Sequence, residues 1–197
     1  MFEGLTFRMA TEAELPTVLD LRQSVYSEDL GHVPVDCLDD RSHHLVATDG
    51  IGRVVAAARI VGPDLRPFDF EAQIDLSRYI GPDRIPALLG RLCVRRDYRS
   101  VSYGTFVHIG LLKLALMFAQ QHGVTDFFLY AFDYLVNFYR GALFYPLNVR
   151  IQIEPAGSMH LMHLDIPALL RSSAQSRPRL LSLLLDDQAA PRITLPE

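Results

Sequence analysis

The segment VRRDYRSVSYGTFVHIGLLKLALMFAQQHGV, residues 94–124, decides the fold. It follows an apolar stretch, ALLGRLCV (residues 87–94), and it carries a polar turn and then a long run of apolar residues at helical spacing. The run ends before Gly123, and glycine commonly terminates helices. We therefore predict a strand, a tight turn and a helix over residues 104–122. A helix that begins after such a turn offers unpaired backbone N–H groups to an anion.

The turn itself is rich in arginine and poor in glycine. Its arginines, in the turn or just before it, are Arg91, Arg95, Arg96 and Arg99. Only Gly104 stands where a nucleotide-binding loop usually has several glycines. Glycine is required there only where φ is positive or where a ligand touches the backbone. Ser100 and Ser102 are the next smallest residues, so we predict a phosphate-binding turn that relies on arginines and small serines.

The rest of the chain adds strands on both sides of this unit. Thr11 and Glu14 have the spacing of a capping box, which predicts a helix over residues 12–28. The other expected elements are the strands HHLVATD (43–49), RVVAAARIV (53–61), TDFFLYAF (125–132), NVRIQIEP (148–155) and SMHLMHLDI (158–166), and a helix over residues 133–142. The order predicts an α+β or mixed α/β fold with a sheet of six to seven strands. Residues 63–86 form a long excursion that either covers a site or is a surface loop.

Length and composition indicate one domain. The chain has 197 residues, of which 49% are hydrophobic and 21% are charged, as in ordinary globular proteins. We place the domain at residues 1–170 and a tail at residues 171–197. The tail has one apolar patch, LLSLLL (residues 180–185), which predicts a short helix that docks on the body or on a partner.

Charge and cysteine content exclude several classes of protein. The net charge of -4 argues against a nucleic-acid-binding protein. The most apolar run, residues 106–119, is too short to cross a membrane and is interrupted by His108 and Lys113. Cys37 and Cys93 lie far apart and have no CxxC partner, so neither disulfides nor a zinc framework are expected. These features favour a cytoplasmic protein with no membrane span.

Two histidine pairs raise the question of a metal site. They are His43–His44 and His160-x-x-His163. In a strand, His160 and His163 point to opposite faces, and no carboxylate or cysteine has the spacing to join them. We therefore expect no metal.

The segment of residues 94–124 resembles the acyl-coenzyme-A-binding segment of the GNAT acyltransferases. That family has a strand, an Arg-x-x-Gly-x-Gly/Ala turn, a long apolar helix and a closing glycine; Arg99 and Gly104 match the turn, and Ser102 stands at the first glycine. LVNFYRGALFYPL (residues 135–147) is similar to a later segment of the family. There Tyr139 matches the tyrosine that protonates the departing thiolate, and Leu143 and Phe144 occupy the positions of a Gly-Phe dipeptide.

The N-terminal half resembles one branch of that superfamily, the acyl-homoserine-lactone synthases and the related N-acyl amino acid synthases. The matching stretches are LRQSVYSEDLGHVPVDCLDDRSHHLVA, AAARIVGPD and LLGRLCV. The residues that carry over are Arg22, Asp36 with Asp39 (or Asp40), Arg59 and Arg91. Leu88 stands where the lactone synthases have a glutamate. The resemblance covers roughly residues 7–150.

The resemblance implies a GNAT fold with a mostly antiparallel sheet flanked by helices. It also implies an N-acyltransferase that moves a long-chain acyl group from acyl carrier protein or acyl-CoA to the amine of an amino acid or similar small molecule. The donor is then an acyl-phosphopantetheine thioester. Its carbonyl would be polarised by the backbone around Leu92, Cys93 and Val94. Its phosphate end would bind the turn, which consists of Arg99, Ser100, Val101, Ser102, Tyr103, Gly104 and Thr105.

The reaction also needs a base for the amine. Because Leu88 leaves the expected position without a carboxylate, Glu71 is the first candidate, and Asp69 and Asp75 follow it.

The acceptor would be held by charged residues. Arg59 or Arg22 can grip a carboxylate with two hydrogen bonds, with Asp36 or Asp39 holding the ammonium group or supporting an arginine. The alternative is an internal ion-pair network that orders a loop over the site.

Arg95 and Arg96, together with Arg99, can supply a docking surface for an acidic carrier protein or can grip the phosphates of coenzyme A. Two other functions stay open at this point. One is a binding protein that retains the fold without catalysis, which Ser102 and Leu88 suggest. The other is a short-chain acetyltransferase that uses acetyl-coenzyme A.

Overall fold

The structure is a computed structural model that describes residues 4–31, 36–99, 104–154, 156–176 and 192–194. The strands are β1 (Thr6–Met9), β2 (His43–Thr48), β3 (Val54–Val61), β4 (Pro86–Val94), β5 (Asp126–Ala131), β6 (Tyr145–Ile153), β7 (Gly157–Asp165) and β8 (Arg192–Thr194). The α-helices are α1 (Leu15–Leu30), α2 (Gly104–Gln121), α3 (Val136–Gly141) and α4 (Ile166–Ser176). None of the helices in these described ranges is long and apolar enough to cross a membrane.

The strands form one sheet in the order β6-β7-β5-β4-β3-β2-β1-β8. Neighbouring strands are antiparallel except β4 with β5 and β1 with β8, which are parallel. The mixed α/β fold with a mostly antiparallel sheet is therefore confirmed. The two strands that were not predicted are β1, of four residues, and β8, of three residues, and both are too short to show a clear periodicity.

The end of the chain differs from the expectation. Helix α4 was not predicted, and the proposed boundary between residues 170 and 171 falls inside it. Because β8 pairs with β1, the tail contributes to the same sheet as the body. The apolar patch at residues 180–185 lies outside the described residues, so the docking helix stays a prediction.

Helices cover both faces of the central strands. On one face α1 buries Val18 and Val25 against Val46 and Cys93. On the other face α2 packs its apolar residues on β1, β2 and β3; the buried side chains there include Phe7, Leu45, Ala47, Val55, Leu111 and Ala115. Since side chains alternate between the faces of a strand, cover on both faces explains why β2 and β3 are almost continuously buried and why β3 is almost continuously apolar.

The parallel pair β4–β5 opens part-way along its length. Its register runs only from Pro86, opposite Asp126, to Leu88, opposite Phe128. Beyond Leu88 strand β4 continues for six residues beside β3 alone, and the register with β3 shifts by one residue between Ala57 and Arg59. The sheet therefore has an internal V-shaped opening between two neighbouring strands.

Candidate active site

A cavity of about 520 Å³ lies at the opening between β4 and β5. Its walls come from α1, β4, β5, α3 and the loops at Asp36, Asp69 and Glu154. The cavity brings together most of the residues predicted for catalysis and substrate binding. The predicted residues that line it are Asp36, Arg59, Arg91, Leu92, Cys93, Val94, Arg99 and Tyr139.

Strand β4 bulges next to the opening. Arg91 has a φ of 54°, a left-handed conformation that costs a non-glycine residue on the order of 1 kcal/mol. After the bulge, Cys93 pairs with Ala57 of β3, so the backbone groups of Leu92 and Val94 face the opening. The Cys93 thiol is buried, and burial raises its pKa to about 12, so it stays a neutral packing group.

The five residues predicted to bind the acceptor form one ion-pair network. Arg22 Nη1 donates to both carboxylate oxygens of Asp39, at 2.8 and 2.9 Å. Arg59 donates to Asp39 at 2.8 Å and to the two oxygens of Asp36 at 2.6 and 3.0 Å. Arg91 Nη2 donates to Asp36 at 2.7 Å. The internal network that the sequence left open as an alternative is therefore present.

The network has an inner and an outer part. The Arg22 and Asp39 side chains are only 1% and 4% exposed, and neither lines the cavity. Asp36 and Arg91 are 29% and 24% exposed and do line it, with Arg59 between the two parts. A ligand in the cavity therefore meets the outer part.

Electrostatics keep both carboxylates ionised. Burial alone would raise the pKa of Asp36, but hydrogen bonds from Arg59 and Arg91 hold it well below its usual range. Burial opposes the ionised form of Asp39 as well, and Arg22 and Arg59 lower its pKa. Three guanidinium groups face two carboxylates, so the network has one positive charge in excess.

Tyr139 lies on α3 at the other wall of the cavity. Its ring packs edge-on against Phe138 and Phe144. Burial, with a smaller contribution from Tyr134, raises the pKa of its hydroxyl to about 12, so the group stays protonated at neutral pH. It is therefore able to donate a proton.

A second cavity, of about 450 Å³, lies between β4, β5, α2 and α3. Its lining is almost entirely apolar and includes Leu89, Ile109, Leu112, Leu129 and Phe144. Residues that line both cavities are Leu89, Gly90, Leu92, His108, Leu129, Phe138 and Tyr139. The two cavities are therefore adjacent, and Gly90 and Tyr139 lie at their junction.

The structure does not bring Glu71 to the cavity. Its carboxylate accepts hydrogen bonds from Arg66 and from the backbone N–H of Phe68 at 2.9 Å, and it belongs to the short 3-10 turn Asp69–Ala72. Burial opposes its ionised form, but Arg66 and the N–H group lower its pKa. Glu71 is therefore not among the residues that line the cavity, and its role as the base stays a prediction. The loop reaches the cavity through Asp69, whereas the capping position of Glu71 ties its carboxylate to Arg66 and to the backbone of Phe68.

The other carboxylates near the cavity differ in whether they line it. Asp75 caps the next 3-10 turn through Ser77 and does not line the cavity. Asp69 does line it, and its carboxylate accepts a hydrogen bond from the hydroxyl of Tyr130 on β5. Glu154, after β6, lines it as well.

The predicted phosphate-binding turn is described only in part. Ser100, Val101, Ser102 and Tyr103 lie outside the described residues, and Gly104 and Thr105 are the first residues of α2. Arg99 donates to the Val94 carbonyl at 2.6 Å and pairs with Asp29 at 2.8 Å. Its Nη2 atom is buried and has no hydrogen-bond partner among the described residues.

The histidines singled out in the sequence have other partners. His160 and His163 contact Asp133 and Asp126, each at 2.7 Å, on opposite faces of β7. His44 contacts the carbonyl of Asp39 at 2.9 Å. Within the described ranges no three His, Cys, Asp or Glu side chains are grouped so that they could hold a metal ion.

The described chain superposes on solved acyltransferase structures. FeeM, an N-acyl amino acid synthase from uncultured soil microbes, matches with a TM-score of 0.68 and 12% identity over 83% of this chain and 91% of FeeM. BjaI, a CoA-dependent acyl-homoserine lactone synthase solved with SAM and isopentyl-CoA, matches with a TM-score of 0.64 and 17% identity over 98% of this chain and 94% of BjaI. An acyl-CoA N-acyltransferase from Pseudomonas aeruginosa matches with a TM-score of 0.56 and 21% identity over 80% of this chain and 98% of the other.

The chain has the GNAT N-acyltransferase fold. No protein-family model matches the sequence, and no curated protein matches it.

Leu143 stands at the position where the GNAT pattern has the glycine of a Gly-Phe dipeptide. Its φ is 73°, a region that glycine adopts without strain, and its side chain is buried. The N–H of Phe144 bonds to the carbonyl of Tyr139 at 2.9 Å and closes the end of α3. The backbone conformation is therefore retained although the glycine is absent.

Sequence reasoning missed two tyrosines that line the cavity, Tyr26 and Tyr130. The Tyr26 hydroxyl donates to the carbonyl of Leu92 at 2.9 Å. A signal for Tyr26 existed, because it follows Arg22 by four residues and so lies on the same helix face. Tyr130 gave no such signal, since it lies in a strand where aromatic residues are common.

Proposed function

We propose that the protein is an N-acyltransferase that moves an acyl group from a phosphopantetheine thioester to the amine of a small acceptor. The observation that carries the proposal is a single cavity in which the open side of β4 lies between Tyr139 and the outer arginine–aspartate network. The amine nitrogen attacks the thioester carbon directly, so no covalent enzyme intermediate forms.

The donor thioester occupies the opening between β4 and β5. Backbone N–H groups of Leu92 and Val94 face this opening and are suited to bind the carbonyl oxygen as negative charge develops on it. The phosphate end lies toward Arg99 and the start of α2, where helical N–H groups favour anions. The Nη2 atom of Arg99, which has no hydrogen-bond partner in the described part of the chain, donates to a phosphate oxygen in this proposal.

The acyl chain extends into the second cavity. A volume of about 450 Å³ with an apolar lining is far more than an acetyl group fills, and it favours a chain of many carbons. This observation ranks a long-chain acyltransferase above a short-chain acetyltransferase.

The acceptor is a small amine that also has a carboxylate, such as an amino acid. The outer network has one positive charge in excess, so an acceptor carboxylate balances it, with Arg91 and Arg59 as the groups within reach. Asp36 is the network carboxylate exposed to the cavity, and in this proposal it holds the ammonium group.

Asp69 is the base in this proposal. It takes a proton from the ammonium group, and the Tyr130 hydroxyl orients its carboxylate. The amine then attacks the carbonyl carbon, the C–N bond forms and the C–S bond breaks. The thiolate takes its proton from the Tyr139 hydroxyl. The second proton, which the nitrogen loses as the amide forms, restores the Tyr139 hydroxyl through solvent, and Asp69 releases the first proton to solvent. The products are an N-acyl acceptor and a free thiol.

Release of thiol from a panel of thioesters tests the proposal. The purified protein is incubated with acetyl- to palmitoyl-coenzyme A, alone and with each of the twenty amino acids, and free thiol is followed with a chromogenic disulfide. We expect acceptor-dependent release with the long acyl chains. If no combination of thioester and acceptor releases thiol, the proposal is contradicted. Binding of coenzyme A without release of thiol would favour a non-catalytic binding protein.

Arg95 and Arg96 bear on whether the acyl donor is acyl-coenzyme A or an acyl carrier protein. Arg96 is exposed, and Arg95 lies near Asp97 at 3.4 Å. We propose that they form a docking surface for an acidic carrier protein. Replacing both by alanine then weakens the reaction of acyl carrier protein thioesters and leaves that of the matching coenzyme A thioester nearly unchanged.

A further inference from the structure

The open side of β4 differs from an ordinary strand edge. An unpaired edge normally presents alternating N–H donors and carbonyl acceptors. Beyond the bulge, the residues that face the opening are Leu92 and Val94, since Cys93 pairs with Ala57 and the N–H of Arg95 bonds to Val55 at 2.9 Å. Each of their carbonyl oxygens already accepts a hydrogen bond from a side chain.

The two occupying groups come from different parts of the chain. The Tyr26 hydroxyl of α1 donates to the Leu92 carbonyl at 2.9 Å, across 66 residues of sequence. Arg99 Nε donates to the Val94 carbonyl at 2.6 Å, and Asp29 of α1 pairs with the same guanidinium at 2.8 Å. Helix α1 therefore supports both contacts, one directly and one through Asp29.

We infer that Tyr26 and Arg99 are positioning residues that convert the open side of β4 into an edge of donors only. With both acceptors occupied, the groups offered to the cavity are the N–H groups of Leu92 and Val94, about 7 Å apart along the strand. Such an edge fits a ligand that presents successive carbonyl oxygens, as the thioester and amide groups of an acyl-pantetheine arm do. The inference rests on the proposed function for the identity of that ligand.

The hydrogen bond from Tyr26 to the Leu92 carbonyl lies next to the bulge of β4 at Arg91. Leu92 directly follows Arg91, whose left-handed φ of 54° is a strained conformation. On one side the Arg91 side chain is tied to Asp36 at 2.7 Å, and on the other the Leu92 carbonyl is tied to Tyr26. The orientation of the Leu92–Cys93 peptide group, next to the bulge, therefore depends on a hydrogen bond that phenylalanine cannot make.

The test compares Tyr26→Phe with Tyr145→Phe. Tyr145 is 56% exposed on β6 and lines neither cavity, which makes it the matched control. We expect Tyr26→Phe to lower kcat/KM for palmitoyl-coenzyme A about tenfold, with the KM of the acceptor unchanged, because one net hydrogen bond is lost. The carbon chemical shift of the Leu92 carbonyl should change in Tyr26→Phe and not in Tyr145→Phe.

A second variant and a binding measurement keep the test decisive. Asp29→Asn removes the ion pair that holds Arg99, so the carbonyl shift of Val94 should change and the affinity for coenzyme A should fall severalfold. If the wild type releases no thiol, the proposed acylation fails, while the carbonyl shifts and the calorimetric Kd for coenzyme A still test the edge. Unchanged shifts, or changed shifts with wild-type kcat/KM and Kd, would overturn the inference.

Discussion

Arg22 and Asp39 form a buried ion pair in which one guanidinium nitrogen lies 2.8 and 2.9 Å from the two carboxylate oxygens. Asp39 also accepts a hydrogen bond from Arg59, so its charge is compensated twice. Burying a charge is costly unless it is paired and hydrogen-bonded. The inner part of the network therefore belongs to the fold, and it holds Arg59 in place for the outer part.

Replacement of Asp39 by asparagine should destabilise the protein strongly. Two buried guanidinium groups would lose a charged partner, which costs about 3–5 kcal/mol of unfolding free energy. Urea denaturation at neutral pH measures the change, and Asp40→Asn, at the exposed neighbouring residue, is the control. Equal stability of the two variants would contradict a structural role for the inner pair.

Acid should destabilise the protein through Asp126. Burial alone would raise the pKa of this fully buried carboxylate, but hydrogen bonds from His163, Arg84 and Thr125 lower it to about 2. A lowered pKa gives stability that is present above about pH 4 and is lost as the pH falls toward 2, on the order of 2 kcal/mol for this group.

Urea denaturation between pH 6 and pH 2 tests this prediction. Asp126→Asn should be less stable at pH 6 and should lose less stability on acidification than the wild type. Asp64→Asn, at an exposed carboxylate, should follow the wild-type curve. Parallel curves for wild type and Asp126→Asn would show that another group controls the acid transition.

Tyr139→Phe should slow the departure of the thiol. Proton transfer by a positioned group contributes about 100-fold or more, so we expect kcat to fall by about that factor with little change in the KM of the thioester. Because the pKa of Tyr139 is about 12, ionisation of this group should cause no loss of wild-type activity below about pH 10. Rate measurements from pH 6 to pH 10 check both statements, and wild-type rates in Tyr139→Phe would remove it from the mechanism.

Gly90→Val should shorten the acyl chain that the enzyme accepts. A Cβ atom at Gly90 meets nothing within 4 Å, and the residue lines both cavities, so valine fits the strand and narrows the passage between them. We expect kcat/KM to fall for palmitoyl-coenzyme A and to change little for butyryl-coenzyme A. An equal loss for both thioesters would place the acyl chain elsewhere.

Gly110→Ala should destabilise the protein although alanine favours helices. In an exposed helix this change stabilises by about 1 kcal/mol. Here an added Cβ would overlap the ring of the fully buried Phe7, so overpacking should cost about 1–3 kcal/mol. The midpoint of thermal unfolding gives the sign, and recovery in Gly110→Ala combined with Phe7→Leu would confirm the contact as its cause.

Much of the fold could be read from local patterns. The apolar run before Gly123 is long enough to specify α2, and the hairpin of β2 and β3 follows from two buried apolar segments and a short turn. The resemblance to the acyl-homoserine-lactone synthases also grouped five residues that the structure joins in one network: Arg22, Asp36, Asp39, Arg59 and Arg91. Helix α4 and strands β1 and β8 were not found. Helix α4 has an amphipathic pattern of its own, which was overlooked directly after a strand, whereas β1 and β8 are segments of four and three residues that pairing in the sheet defines.

The sequence by itself determined the order of elements and the residue types available for acyl transfer, because helical and strand periodicity are properties of neighbouring residues. Only the tertiary structure decided which groups meet. It separated Glu71, which caps a turn beside Arg66, from Asp69, which lines the cavity two residues earlier. It also brought the Tyr26 hydroxyl to the Leu92 carbonyl. Such contacts depend on how α1 packs against a bulged strand 66 residues away, and no local pattern encodes that distance.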